Sequence, residues 1–146
     1  FNPSRVLLSM PIFRSWYWDI FLDFIVFHKL ADSKLSKNLE GEVGFPDFVV
    51  LERKKSRDAA KYGCIEAKRP YDNMEITEQI EGHLSSYGKV IYTNGLVWKF
   101  YKEKKENEKV YIVGSIKSKN KQAIIWEPVD NWYKLMSFLE DWDWKS

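Results

Sequence analysis

The stretch Gly44–Pro70, "GFPDFVVLERKKSRDAAKYGCIEAKRP", decides how this chain is read. Two short hydrophobic runs, Phe48–Glu52 and Tyr62–Ala67, flank a charged tip at Lys54–Lys61. Runs rich in Val, Ile, Phe and Tyr are expected to be strands, and the pair reads as an antiparallel hairpin. A turn centred between Ser56 and Arg57 sets Asp47 directly opposite Glu66. Directly opposed Cβ atoms lie about 4.5–5.5 Å apart. Side chains alternate along a strand, so Lys68 shares a face with Glu66. Ala67 points the other way, with its backbone carbonyl at the same edge.

Two carboxylates that close repel each other. Either one takes up a proton or a cation holds both ionised. A hard divalent cation wants oxygen ligands, and Asp47, Glu66 and the Ala67 carbonyl offer that set. The expected ion is Mg²⁺, with Mn²⁺ as the alternative. Such an ion makes water more acidic and offsets charge on a phosphoryl oxygen. Lys68, beside carboxylates, is expected to stay an ammonium, holding the attacking water or stabilising a pentavalent phosphorane. The competing explanation is structural: Asp47 caps a turn, and Glu66 and Lys68 are solvent-facing strand residues. An acid–x–Lys triplet is common by itself. Here, however, the buried-type runs Phe48–Leu51 and Gly63–Ile65 end in charge just where a sheet edge would open.

Composition sets the frame. The chain has 146 residues, enough for one domain (1–146) with its own core. It is 45% hydrophobic and 30% charged, so disorder is not its main state. The net charge of +2 gives no global electrostatic case for nucleic-acid binding, and any basic footprint must be local. Cys64 is the only cysteine, which excludes an intramolecular disulfide and a cysteine metal cluster. The apolar stretch Trp16–Leu30 is too short to span a bilayer and is interrupted by Asp19 and Asp23. The expectation is a soluble protein without a membrane partner, in the cytoplasm (a host cell's, if the chain is viral).

Along the chain, Ser15–Leu30 lacks Gly and Pro and is expected to be a helix. Tyr71–Tyr87 reads as a second helix, with Asp72 or Asn73 as N-cap and Gly88 just past its end. Val90–Thr93 and Val97–Lys102 read as strands joined by Asn94-Gly95, a strong hairpin signal. Glu103–Lys109 reads as a charged turn, Val110–Val113 and Ala123–Trp126 as strands, and Asn131–Asp141 as a closing helix. The fold class is α/β, a mixed central sheet flanked by helices.

Pro46-Asp47, followed after 18 residues by Glu66-Ala67-Lys68, resembles the PD-(D/E)XK motif of the restriction-endonuclease-like nucleases. The continuation "EAKRP" (Glu66–Pro70) and the stretch "YTNGLVWKFYK" (Tyr92–Lys102) resemble the N-terminal nuclease domains of type I restriction enzyme motor subunits and RecB-like nucleases. The resemblance covers about Phe45–Lys102. It implies a restriction-endonuclease-like core, Mg²⁺-dependent cleavage of DNA, Asp47 and Glu66 as metal ligands, and Lys68 as the catalytic lysine. Many relatives carry Gln-x-x-x-Tyr on the next helix. Here Gln79 is followed at that spacing by His83, and Tyr87 comes one turn later. Gln79 is expected to orient Lys68 or touch a phosphate. The family often has an upstream acid, for which Asp19, Asp23, Asp32, Glu40 and Glu42 are candidates. There is no Walker A pattern, so the chain is not a motor by itself.

For the nucleic acid, Arg69 and His83 near the acids and Lys54, Lys55 and Arg57 at the hairpin tip are the expected contacts; packing of the helix face on the sheet is an equal alternative for His83 and the favoured one for Tyr87. Lys117, Lys119 and Lys121 form a second basic cluster. The terminal "DWDW" (Asp141–Trp144) reads as a packed or partner-binding tail. Two functions remain open at this stage. One is a DNA nuclease; the other is a catalytically silent nucleic-acid-binding or assembly domain acting with a protein partner or as a homodimer. RNA is a weaker alternative substrate.

Overall fold

The structure is a computed structural model and describes residues 24–28, 41, 43–53, 58–117 and 123–146. Its elements are β1 (Phe24–His28), β2 (Phe48–Glu52), β3 (Lys61–Ala67), α1 (Glu78–Tyr87), β4 (Lys89–Thr93), β5 (Val97–Lys102), β6 (Lys104–Ile112), β7 (Gly114–Ile116), β8 (Ile124–Trp126) and α2 (Val129–Asp141). Strands β1–β6 form one mixed sheet in chain order, and β7 and β8 pair separately. Neighbours in the large sheet run antiparallel except β3 and β4, which are parallel. A parallel pair needs a crossover, and α1 supplies it.

Alternation along the strands builds two cores. Val49, Leu51, Cys64, Val90, Tyr92 and Tyr101 face the α1 side, where Ile80, Leu84 and Tyr87 meet them. Val50, Ile91 and Phe100 face the other side, under Leu135 and Leu139 of α2. The sheet is thus covered by a helix on each face. Trp144 completes the α2-side core, and Lys89 Nζ anchors this tail by donating to the Asp143 carbonyl at 2.6 Å. Gly63 makes room for it: a Cβ there would lie 2.5 Å from the Trp144 ring and 2.8 Å from the Lys89 carbonyl. The terminal "DWDW" therefore packs on its own sheet.

Three expectations about elements are corrected. The helix expected over Ser15–Leu30 does not hold at Phe24–His28, which is a strand paired from Phe24↔Glu52 to His28↔Phe48; the rest lies outside the described residues. A short apolar run cannot distinguish a buried strand from a helix, and the free edge of β2 offered ladder partners. The helix expected from Tyr71 begins only at Glu78, capped by Thr77, whose Oγ1 accepts from Ile80 N–H. Asp72 and Asn73 are spent locally, Asp72 on the Arg69 side chain and amide, and Asn73 on the Glu75 amide. Such short-range bonds hold a turn against helix. The charged stretch Glu103–Lys109 narrows to a tight turn at Glu103 (φ 64°), and the rest belongs to β6. An outermost strand carrying Lys and Glu resists edge-to-edge pairing.

At Gly88 the expectation holds. It adopts φ 76°, and its N–H closes α1 on the Leu84 carbonyl. Asn94-Gly95 also turns the chain: Gly95 has φ 85°, and Asn94 Oδ1 accepts from the Leu96 and Val97 amides.

Candidate active site

The site is built where β2 begins and β3 ends. Phe48↔Ile65, Val49↔Cys64 and Val50↔Gly63 are partners, a register that continues to Asp47 opposite Glu66. The two acids clamp each other's strand. Asp47 N–H donates to Glu66 Oε2 at 3.2 Å, and Ala67 N–H donates to Asp47 Oδ2 at 2.9 Å. The backbone thus fixes both carboxylates at one end of the sheet.

Lys68 lies just beyond β3. Its amide donates to the Thr93 carbonyl at 2.8 Å, which ties it to the end of β4. Its ammonium sits 3.0 Å from Glu66 Oε1 and 3.4 Å from Gln79 Oε1. The structure therefore brings Asp47, Glu66, Lys68 and Gln79 together. Gln79 reaches the site because it lies in the first turn of α1, at the carboxylate end of the crossover.

His83, one turn further along α1, is fully buried. That leaves it no surface for a nucleic acid, so the expected contact there is corrected in favour of the packed alternative. Its Nε2 instead lies 3.6 Å from Glu66 Oε2, within ion-pair range but too long for a good hydrogen bond. Neither ring nitrogen has a hydrogen-bond partner among the described residues. Tyr87 is 6.1 Å from the His83 ring and belongs to the α1-side core.

The electrostatics follow from this packing. Burial pushes the Glu66 carboxyl up, but His83, Lys68 and the Asp47 amide outweigh it, and the group ends below its ordinary value. Burial alone would lower Lys68; its hydrogen bond and charge interaction with Glu66 more than reverse this. Both effects favour a carboxylate beside an ammonium.

Arg69 is exposed and pairs through both Nε and a terminal nitrogen with Asp72, with its guanidinium 4.8 Å from the Tyr71 ring centroid. Lys54, Lys55 and Arg57 lie outside the described residues, as do Asp19, Asp23, Asp32, Glu40 and Glu42 and the basic residues Lys119 and Lys121. One neighbour escaped the sequence reading. Tyr92 pairs with Glu66 across β3 and β4, and its hydroxyl donates towards the Asn73 and Glu75 carbonyls at 3.4 and 3.5 Å. The signal for it was the parallel crossover, which sets the residue before Thr93 beside the second acid.

Asp47 and Glu66 are the carboxylates at this edge that could hold a hard divalent cation. Glu66 accepts from the Asp47 amide and from the Lys68 ammonium, and Asp47 accepts from the Ala67 amide, so both carboxylates are held at one edge. Two carboxylates are oxygen donors of the kind that Mg²⁺ supplements with water and phosphate. Among the described residues no three His, Cys, Asp or Glu side chains form a metal centre.

Comparison with known proteins adds no relative: no family model, no curated protein and no solved structure matches the chain. Among the described residues no helix is long and apolar enough to cross a membrane.

Proposed function

We propose that this chain is a metal-dependent nuclease that hydrolyses DNA phosphodiester bonds, built on a restriction-endonuclease-like core of the PD-(D/E)XK type. The observation that carries the reading is the reciprocal clamp of Asp47 and Glu66, with the Lys68 ammonium held on Glu66. The topology supports it as well: an antiparallel β1–β2–β3 run, a crossover helix that delivers Gln79, and a parallel β4.

Asp47, Glu66 and the Ala67 carbonyl would hold Mg²⁺ or Mn²⁺, which when bound offsets charge on phosphoryl oxygen and makes water more acidic. Lys68 works as a charge. Glu66 keeps it protonated, so it stabilises the extra negative charge that builds on the phosphoryl group rather than removing a proton. Gln79 holds that ammonium from the helix side. Water adds to phosphorus and gives up a proton to solvent, the bond to the leaving sugar oxygen breaks, and that oxygen takes up a proton from solvent. His83 backs Glu66 from the core and limits how far the carboxylate can swing.

One observation favours a second reading, a silent binding or assembly domain that works with a protein partner or as a homodimer. The Lys68 contacts to Glu66 and Gln79 close within the chain, as a purely structural polar cluster would. Cleavage of linear and circular DNA, single- and double-stranded, with Mg²⁺ or Mn²⁺ separates the two. Glu66→Ala and Lys68→Ala are each expected to lower the rate on the order of 10²-fold or more. Equal activity in wild type and both variants would refute the nuclease reading.

A further inference from the structure

His83 is the polar member of the buried face of α1. The other buried residues of this helix are Ile80, Leu84 and Tyr87, packed on the strands. His83 sits among them with no exposed surface, and neither ring nitrogen has a hydrogen-bond partner among the described residues. Whatever hydrogens the ring carries, at least one N–H is buried and unmade. Such a donor is a net cost to folding, which an apolar side chain of similar volume would avoid. Buried polar side chains are rarely left in this state.

The ring is aimed at one group. Its Nε2 lies 3.6 Å from Glu66 Oε2. A nitrogen lone pair facing a carboxylate oxygen is repelled, so the hydrogen belongs on Nε2. A good N–H···O bond ends at about 3.2 Å, so the pair stands roughly 0.4 Å too far apart. A small turn of the carboxylate closes that gap.

Glu66 has two other donors. Its Oε2 accepts from the Asp47 amide at 3.2 Å, and its Oε1 accepts from the Lys68 ammonium at 3.0 Å. The amide is fixed by its strand. The ammonium has the same sign as a divalent cation, and the two repel when they share one carboxylate. Carboxylate ligands in metal sites are themselves hydrogen-bonded, and the donors behind them fix their orientation. His83 N–H is placed to do this from the core.

We propose that His83 is a positioning residue of the cation site. Its Nε2–H bonds Glu66 Oε2 when the cation is held and stays unmade without it. The residue therefore weakens the metal-free fold and strengthens metal binding. This inference rests on the cation site of the nuclease reading and adds a residue that acts through Glu66.

The test measures Mn²⁺ binding to the full chain by isothermal titration calorimetry, and Tm in EDTA, for wild type, His83→Leu, His83→Gln and Glu66→Ala. Glu66→Ala should abolish Mn²⁺ binding, which places the ion at this site. His83→Leu should bind Mn²⁺ roughly 10–100-fold more weakly, the scale for loss of a donor behind a ligand, while its Tm in EDTA is no lower than wild type. His83→Gln, which restores an N–H donor, should recover much of the affinity. Unchanged Mn²⁺ affinity in His83→Leu, or a weakened affinity that His83→Gln does not raise, overturns the inference. So does a His83→Leu chain that melts below wild type in EDTA, because His83 is then an ordinary core residue. With DNA still cut by wild type, each of these results leaves the nuclease reading in place. A wild type that neither binds Mn²⁺ nor cuts DNA overturns both.

Discussion

Gly63→Ala tests the packing of the tail behind the site. The added Cβ would meet the Trp144 ring at 2.5 Å and the Lys89 carbonyl at 2.8 Å, where real Cβ atoms keep at least about 3.4 Å from such neighbours. The carbonyl belongs to β4 and cannot yield without breaking the sheet. The ring must therefore move by about 1 Å. It is 3% exposed, packs edge-on against Trp142 at 5.8 Å, and lies beside the Asp143 carbonyl held by Lys89, so little space exists to move into. Overpacking of this kind costs about 1–3 kcal/mol. For a chain of this size that corresponds to a fall in Tm of roughly 2–12 °C. Differential scanning calorimetry gives the magnitude, and a red shift in tryptophan emission reports the displaced ring. A double variant sharpens the test: in a Trp144→Ala background the same Gly63→Ala change should cost clearly less, because the ring is gone and only the Lys89 carbonyl remains in the way. An unchanged Tm and emission for Gly63→Ala, or an undiminished cost in the double variant, would refute the packing of Trp144 on β3.

Two further outcomes concern the carboxylate cluster. Glu66 sits below its ordinary pKa of about 4.5, so its contribution to stability is present above that value and is lost as pH falls through the lower folded value; Tm of the wild type should drop more steeply in that acidic range than Tm of Glu66→Gln, and parallel profiles would contradict the assignment. Gln79→Ala removes one neutral partner of the Lys68 ammonium, worth about 1 kcal/mol, so kcat for DNA cleavage should fall roughly fivefold with KM little changed and Tm lower by about 2–4 °C; a fall in Tm with kcat unchanged would make Gln79 structural.

The legible part of the fold was local. The hairpin register that opposes Asp47 and Glu66 follows from two apolar runs and the length of the tip, and the β2–β3 pairing keeps that register through Val50↔Gly63. Gly88 and Asn94-Gly95 were readable because left-handed backbone restricts the residue type. What escaped depended on distant partners. Phe24–His28 is apolar enough for either element, and only the free edge of β2 makes it a strand. The start of α1 was misplaced because the Arg69–Asp72 pair and the Asn73 turn outcompete a cap that looks equally good in sequence. The placement of His83 against Glu66 depends on how α1 sits on the sheet, which spacing along a helix does not fix. The charges of β6 disguised a strand, because an edge strand need bury very little.

The irregularity between Val50 and Leu51 has a consequence for how this site tolerates change. Below it the partners run Phe48↔Ile65 to Val50↔Gly63; above it Leu51 meets Lys61, and Glu52 N–H bonds the Ala60 carbonyl. One residue of offset is absorbed at that step, as in a slip joint. Insertions or deletions in the tip can change the upper register without rotating Asp47 or Glu66 off their shared end. The hairpin can therefore vary in length and charge at its far end while the carboxylates keep their alignment.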